Sequence, residues 1–257
     1  MANKLKFIFK GDKINHFIDR LEELTKIDDT IKLKIDSENI LMYSILGGNV
    51  MLAFKSYLLN TEEIFGNTQF DFTLDVIIPN AKKFVKNLNF LTRSESVSMN
   101  IQYKESNDNN EIMNARSIQV VGGKLKVNWL AGEHYQLRDI NKSALNANLN
   151  TKMSKWSFKI NFDDFSDIKK LSSINSDKII NITVDSGIVT FSERAAWELE
   201  VDKIEDDRNS NLILNKRFLT CINDKEDVQF WIFDNFMLVK DDISNLMLSF
   251  EQDFSDD

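Results

Sequence analysis

Residues 158–192, FKINFDDFSDIKKLSSINSDKIINITVDSGIVTFS, read as a strand, a helix and two further strands. Phe158 and Ile160 alternate with polar residues, the period of a strand. From Asp163 the period changes. Phe165, Ile168, Leu171 and Ile174 recur every three residues and form one apolar helix face. Asp163 suits the start of that helix, where a side-chain oxygen caps free N–H groups and negative charge meets the positive dipole end. IINITV alternates again, DSG supplies turn chemistry, and IVTFS leaves the turn as a second strand.

The same order occurs in residues 7–44, FIFKGDKINHFIDRLEELTKIDDTIKLKIDSENILMYS. Asp12 stands at the helix start, Ile14, Phe17, Ile18 and Leu21 face inward, and DSEN joins IKLKI to ILMYS. A second pair also matches: residues 70–105 and 211–239 each give strand, helix and strands. The chain therefore repeats as A-B-A′-B′. Long alternating runs with one proline and eight glycines predict antiparallel sheets, with short one-faced helices on one side. The fold class is α+β in two similar domains. Residues 138–154 are polar, rich in Asn and Ser and lack alternation. They read as a linker between domains at 1–137 and 155–257.

The chain carries 32 Lys and Arg against 40 Asp and Glu, a net charge of −8. Phosphate binding normally shows as basic excess, so contact with nucleic acid would need a local basic surface. AKKFVKNLNFL, residues 81–91, offers one. Ala81, Phe84, Val85, Leu88 and Leu91 form its apolar stripe, and Lys82, Lys83 and Lys86 its other side, with no acid. The matching stretch of the second half has Lys216 and Arg217, and the helix at 163–174 has Lys169 and Lys170. In the first helix Lys13, His16 and Arg20 share a face, offset by Asp19, Glu22 and Glu23.

Catalytic constellations are missing. There is no G-x-G-x-x-G, no P-loop and no H-E-x-x-H. His16 and His134 are the two histidines, and Cys221, the single cysteine, sits between Leu219 and Ile222 as a packed thiol would. Acid pairs fall at a helix start, in loops and at the C-terminus. No catalytic residue, metal site or cofactor is expected. One cysteine precludes a disulfide framework and suits a reducing cytoplasm. No apolar run is long enough to span a membrane or act as a signal peptide, so a cytoplasmic location is expected.

The A-B-A′-B′ order, acidic overall with short basic helices, resembles the DNA polymerase sliding clamps, most closely the bacteriophage T-even type within the PCNA superfamily. Residues 158–192, 114–129 (NARSIQVVGGKLKVNW) and 245–254 (NLMLSFEQDF) carry the likeness. The longer hairpin at Lys104 to Asn114 and the acids of the first helix depart from it. The resemblance implies a homotrimeric ring of six similar domains, with helices lining a hole that holds duplex DNA. Lys82, Lys83, Lys86, Lys169, Lys170, Lys216, Arg217, Lys13 and Arg20 would face the DNA. It also implies that a DNA polymerase and a clamp loader dock through short peptides. YSILGGNVML, residues 43–52, and the linker would form the pocket, with Ile45, Val50, Leu52, Leu145 and Leu149 as anchors. An edge strand around Trp197 to Val201 would join subunits. The alternatives are a viral structural or assembly protein with duplicated α+β domains, and a metal-dependent nuclease.

Overall fold

A computed structural model describes residues 3–47, 51–105, 111–133, 136–137, 149–194, 196–205, 209–223 and 226–250. The chain divides into two compact units: Met1–Leu46 with Lys55–Asp139, and Gly47–Phe54 with Ile140–Asp257.

The first unit runs β1 (Asn3–Ile8), α1 (Lys13–Leu24), β2 (Ile31–Ile35), β3 (Asn39–Leu46), β4 (Ala53–Asn60), α2 (Thr61–Phe65), β5 (Thr73–Ile78), α3 (Ala81–Leu88), β6 (Val97–Glu105), β7 (Ile112–Gly122) and β8 (Leu125–Leu130). The second runs β9 (Trp156–Ile160), α4 (Phe162–Ile174), β10 (Ile179–Asp185), β11 (Ile188–Glu193), β12 (Trp197–Lys203), β13 (Ser210–Asn215), a 3₁₀ turn (Lys216–Cys221), β14 (Val228–Ile232), β15 (Phe236–Lys240) and β16 (Ser244–Ser249). With α2 set aside, strand, helix and three strands recur four times. This is the A-B-A′-B′ order read from the sequence.

In the first unit the strand order is β1-β6-β7-β5-β2-β3-β4, with β8 on β7. In the second, β16-β15-β14-β9 and β12-β11-β10-β13 form separate runs. The β1–β6, β6–β7, β7–β8, β2–β3 and β2–β5 pairs are antiparallel, as are β9–β14, β14–β15, β15–β16, β10–β11, β11–β12 and β10–β13, whereas β5 runs parallel to β7, with Thr73 opposite Ile112 and Asp75 opposite Asn114. Turn chemistry follows the sequence. Asp36 Oδ1 accepts from the backbone of Glu38 and Asn39, closing the β2–β3 hairpin. Ser186 and Gly187 both take positive φ, 50° and 80°, the paired left-handed turn that suits a two-residue hairpin.

Each unit is packed around phenylalanines, and Phe7 and Phe158 stand at matching repeat positions. In the first, Phe7 of β1 meets Phe65 of α2 at 4.6 Å, and Phe9 meets Phe17 of α1 at 5.4 Å. In the second, Phe158 of β9 stacks on Phe230 of β14 at 4.8 Å, and Phe165 of α4 lies 6.2 Å from Phe230. All but Phe9 and Phe65 are at most 1% exposed. Fully burying such a ring contributes about 1.5–3 kcal/mol.

Three local readings change. Helix α4 is capped by Asn161, whose Oδ1 accepts from Asp164 N at 2.9 Å, and Asp163 lies in the first turn. Ile174 ends α4 exposed, and Ser172 takes the buried position instead. The fourth helical segment is a six-residue 3₁₀ turn, where Asn215 Oδ1 accepts from Arg217 N. Phe218, Leu219 and Cys221 are its buried side.

Candidate nucleic-acid interface

Helix α3 has eight residues, too few to stand alone in water. Its support comes from elsewhere in the first unit. Asp29, in the turn after α1, accepts from both leading amides: Ala81 N to its carbonyl at 2.8 Å and Lys82 N to its carboxylate at 2.7 Å. Asn80 precedes the helix in the left-handed region and makes no side-chain cap, so Asp29 replaces a local N-cap. On the inner side Phe84 packs on Trp129 of β8 at 5.4 Å, and Trp129 Nε1 donates to Pro79 O at 3.0 Å. The buried stripe is Ala81, Phe84, Val85 and Leu88, as the spacing predicts.

Lys82, Lys83 and Lys86 are exposed, and none forms an ion pair with a described residue. Lys82 and Lys83 stand in the first turn, where the dipole is already positive and a cation is unfavourable by a few tenths of a kcal/mol. Stability alone does not favour that placement. It concentrates positive potential.

The other predicted cations differ from these. Lys170 is exposed and pairs with Asp167 at 2.9 Å. Lys169 donates to Ile222 O at 2.9 Å, and its ammonium lies 5.1 Å from the Phe165 ring centre. Arg217 is exposed, its guanidinium 5.3 Å from the Phe218 ring centre. Lys216 donates to Asn175 O at 2.8 Å and to Glu193 Oε1 at 2.9 Å. Glu193 is fully buried and its second oxygen accepts from Trp197 Nε1 at 3.0 Å. That ammonium is committed to the fold. Lys13 is half-buried. Arg20 lies over the Tyr57 ring at 5.1 Å, with its Nε buried and without a hydrogen bond. Burial first, then the charges of Arg20 and Lys13, hold the His16 imidazole below its usual range, so it adds no positive charge near neutral pH.

Of the partner-surface residues, Val50 and Leu145 lie outside the described residues. Ile45, on β3 of the first unit, is half-buried, as is Leu149 in the second. Leu52 is 48% exposed, and its carbonyl accepts from Ser249 N of β16 at 3.0 Å. Beside β16, Phe236 pairs with Ser249 across the sheet and stacks on Phe233 at 4.5 Å. The sequence reading missed this aromatic pair. Its signal, two phenylalanines flanking an Asp-Asn hairpin tip, is local and could have been read. The role of Asp29 had no local signal, because its partner is 53 residues away.

Among the described residues no three His, Cys, Asp or Glu side chains converge as metal ligands, and no helix is long and apolar enough to cross a membrane.

The fold is that of the DNA sliding clamps. DNA polymerase III subunit beta from Borrelia burgdorferi is similar to this chain with a TM-score of 0.65 at 12% identity, over 99% of this chain and 67% of that one. The Helicobacter pylori beta clamp bound to a DNA ligase peptide gives 0.64 at 14%, over 98% and 68%. PCNA from Thermococcus kodakaraensis gives 0.63 at 14%, over 97% and 100%. No protein-family model and no curated protein sequence matches the chain.

Proposed function

We propose that this chain is the subunit of a DNA polymerase processivity clamp, a homotrimeric ring closed around duplex DNA, with no catalysis or cofactor of its own. The observation that carries the reading is the basic face of α3 on an acidic chain with a clamp fold. Lys82, Lys83 and Lys86 attract phosphates without reading bases. The negative charge carried elsewhere disfavours DNA on other surfaces. Lys170 joins them at little cost, since an exposed ion pair such as that with Asp167 is worth about 0–1 kcal/mol. Arg217 and Lys13 contribute at the margin, while Lys169, Lys216 and Arg20 serve chiefly the fold.

Ring closure fits two edge strands. β12 ends its sheet and exposes Glu198 and Glu200. β8 pairs only with β7 among the described strands and exposes Lys126, with Lys124 just before it. Free backbone groups and opposite charges suit the pairing of β12 in one subunit with β8 in the next. Short peptides of a polymerase and a clamp loader dock on the second unit at Leu52, with Phe233 and Phe236 beside β16; Ile45, Val50, Leu145 and Leu149 are further anchors suggested by the sequence pattern. Residues 138–154 link domains 1–137 and 155–257. We assign the clamp to the bacteriophage T-even type, working in the cytoplasm of the host cell.

The test is the triple variant Lys82→Glu, Lys83→Glu, Lys86→Glu, titrated by fluorescence anisotropy onto an open-ended linear duplex over a range of salt. Each phosphate contact contributes about 0.9 to the slope of log K against log salt, so the slope should fall by about 2.7. The variant should still melt cooperatively within a few degrees of wild type, since the dipole favours Glu at 82 and 83 and disfavours it at 86. An unchanged slope in a folded variant would overturn the assignment.

A further inference from the structure

Phe90 lies one turn beyond Lys86 and is 73% exposed. It is not a loose loop residue. Asn89 N donates to Val85 O at 3.0 Å, Phe90 N to Asn87 O at 3.3 Å and Leu91 N to Leu88 O at 2.8 Å. Leu88 and Leu91, on either side, are buried. The turn is anchored from beneath, and the Phe90 ring cannot enter the core without unseating one of those leucines.

Residues four apart are neighbours on a helix surface, so Lys82 and Lys86 share a row on α3, and Phe90 follows Lys86 by four residues in the hydrogen-bonded turn that continues the helix end. Arg93, also exposed, follows three residues on. A single exposed apolar side chain needs no explanation. An exposed aromatic ring that follows a row of exposed cations, in an anchored turn, is a more specific arrangement. A π-face beside phosphate-binding charges is how sequence-independent single-strand sites are built.

We propose that Phe90 is a stacking platform for an unpaired base, at the point where a single strand leaves the duplex, with Lys86 and Arg93 on the flanking phosphates. This rests on the DNA-binding reading above. Within a continuous duplex the bases are already stacked and the ring gains nothing. At a junction the first unpaired base is free to lie on it. The α3 face thereby distinguishes a single-strand–duplex junction from uninterrupted duplex.

Ile174 in the second unit supplies an internal control. It is 79% exposed and stands four residues after Lys170, as Phe90 stands four after Lys86, but it has no π-face.

The experiment measures affinity by fluorescence anisotropy, at one fixed salt concentration, for a blunt duplex and for the same duplex with a single-stranded extension. Wild type, Phe90→Ala, Phe90→Tyr and Ile174→Ala are compared. Wild type should prefer the extended duplex. Phe90→Ala should lose about tenfold on it, in the range of stacking on one base, and change nothing on the blunt duplex. Phe90→Tyr should keep the preference, and Ile174→Ala should match wild type. The proposal falls if Phe90→Ala keeps the preference, if it weakens both substrates equally, or if Ile174→Ala has the same effect. Wild type that binds neither substrate would overturn the clamp reading itself. Wild type that binds both equally would overturn only the stacking role.

Discussion

Replacing Lys216 with Met should destabilise the second unit strongly, although the sequence pattern makes Lys216 look like the lysines of α3. The Lys216 ammonium is 2.9 Å from Glu193 Oε1, and Glu193 is fully buried. Without the lysine, that carboxylate keeps one neutral donor, the Trp197 indole, and Asn175 O loses its donor. Removing one partner of a buried pair costs about 3–5 kcal/mol. The Lys216 side chain keeps 18% of its surface, so the cost belongs near the low end, about 3 kcal/mol. At about 2–4 °C per kcal/mol, Tm should fall by about 6–12 °C. Three of the four tryptophans, Trp156, Trp197 and Trp231, lie in the second unit, so thermal melting followed by tryptophan fluorescence reports on it. Adding Glu193→Gln should recover much of the loss, because the unpaired charge goes and the amide still accepts from Trp197. Lys82→Met, by contrast, should shift stability by less than about 0.5 kcal/mol. A Lys216→Met protein that melts within about 0.5 kcal/mol of wild type, yet binds DNA more weakly, would refute the reasoning and return Lys216 to the DNA-facing set.

Asp29→Ala should cost about 1 kcal/mol through loss of the carboxylate cap on α3, and hydrogen exchange should speed up at Lys82, whose amide loses its acceptor, while α4 is unaffected. Lys32→Met should cost about 3 kcal/mol in a urea melt of the first unit, since Asp75 then keeps only Lys34 of its two lysine partners; Lys32 lies 2.8 Å from Asp75 and Lys34 3.9 Å. His16 is held below its usual pKa, so its protonation favours unfolding. Its stabilising contribution is complete above about pH 6.5 and is lost as pH falls through the lowered value. His16→Gln should flatten that part of the Tm–pH profile, and an identical profile would contradict the assignment.

The repeat was legible because strand and helix periods depend on local residue order. Phe7 and Phe158 open matching units, and the DSEN and DSG turns close matching hairpins. The basic face of α3 was legible for the same reason. Contacts between distant residues were not. Lys82 and Lys216 both follow a helix start in the sequence, but Glu193 reaches Lys216 from β11, 23 residues away. The parallel pairing of β5 with β7 likewise depends on how strands meet after folding, and alternation carries no strand direction. Asn161 displaced Asp163 as the α4 cap because both residue types cap well and their spacing alone does not choose between them. Ile174 keeps the helical period yet ends exposed, because the period does not say where the core beneath a helix stops.

The central claim, that identical subunits close into a ring, is tested most directly by the molar mass in solution, measured by light scattering over a dilution series. One chain is 29.8 kDa, and three chains come to 89.4 kDa. The account predicts a mass near 89.4 kDa that is independent of concentration until the ring dissociates. A mass of 29.8 kDa at every concentration would contradict it.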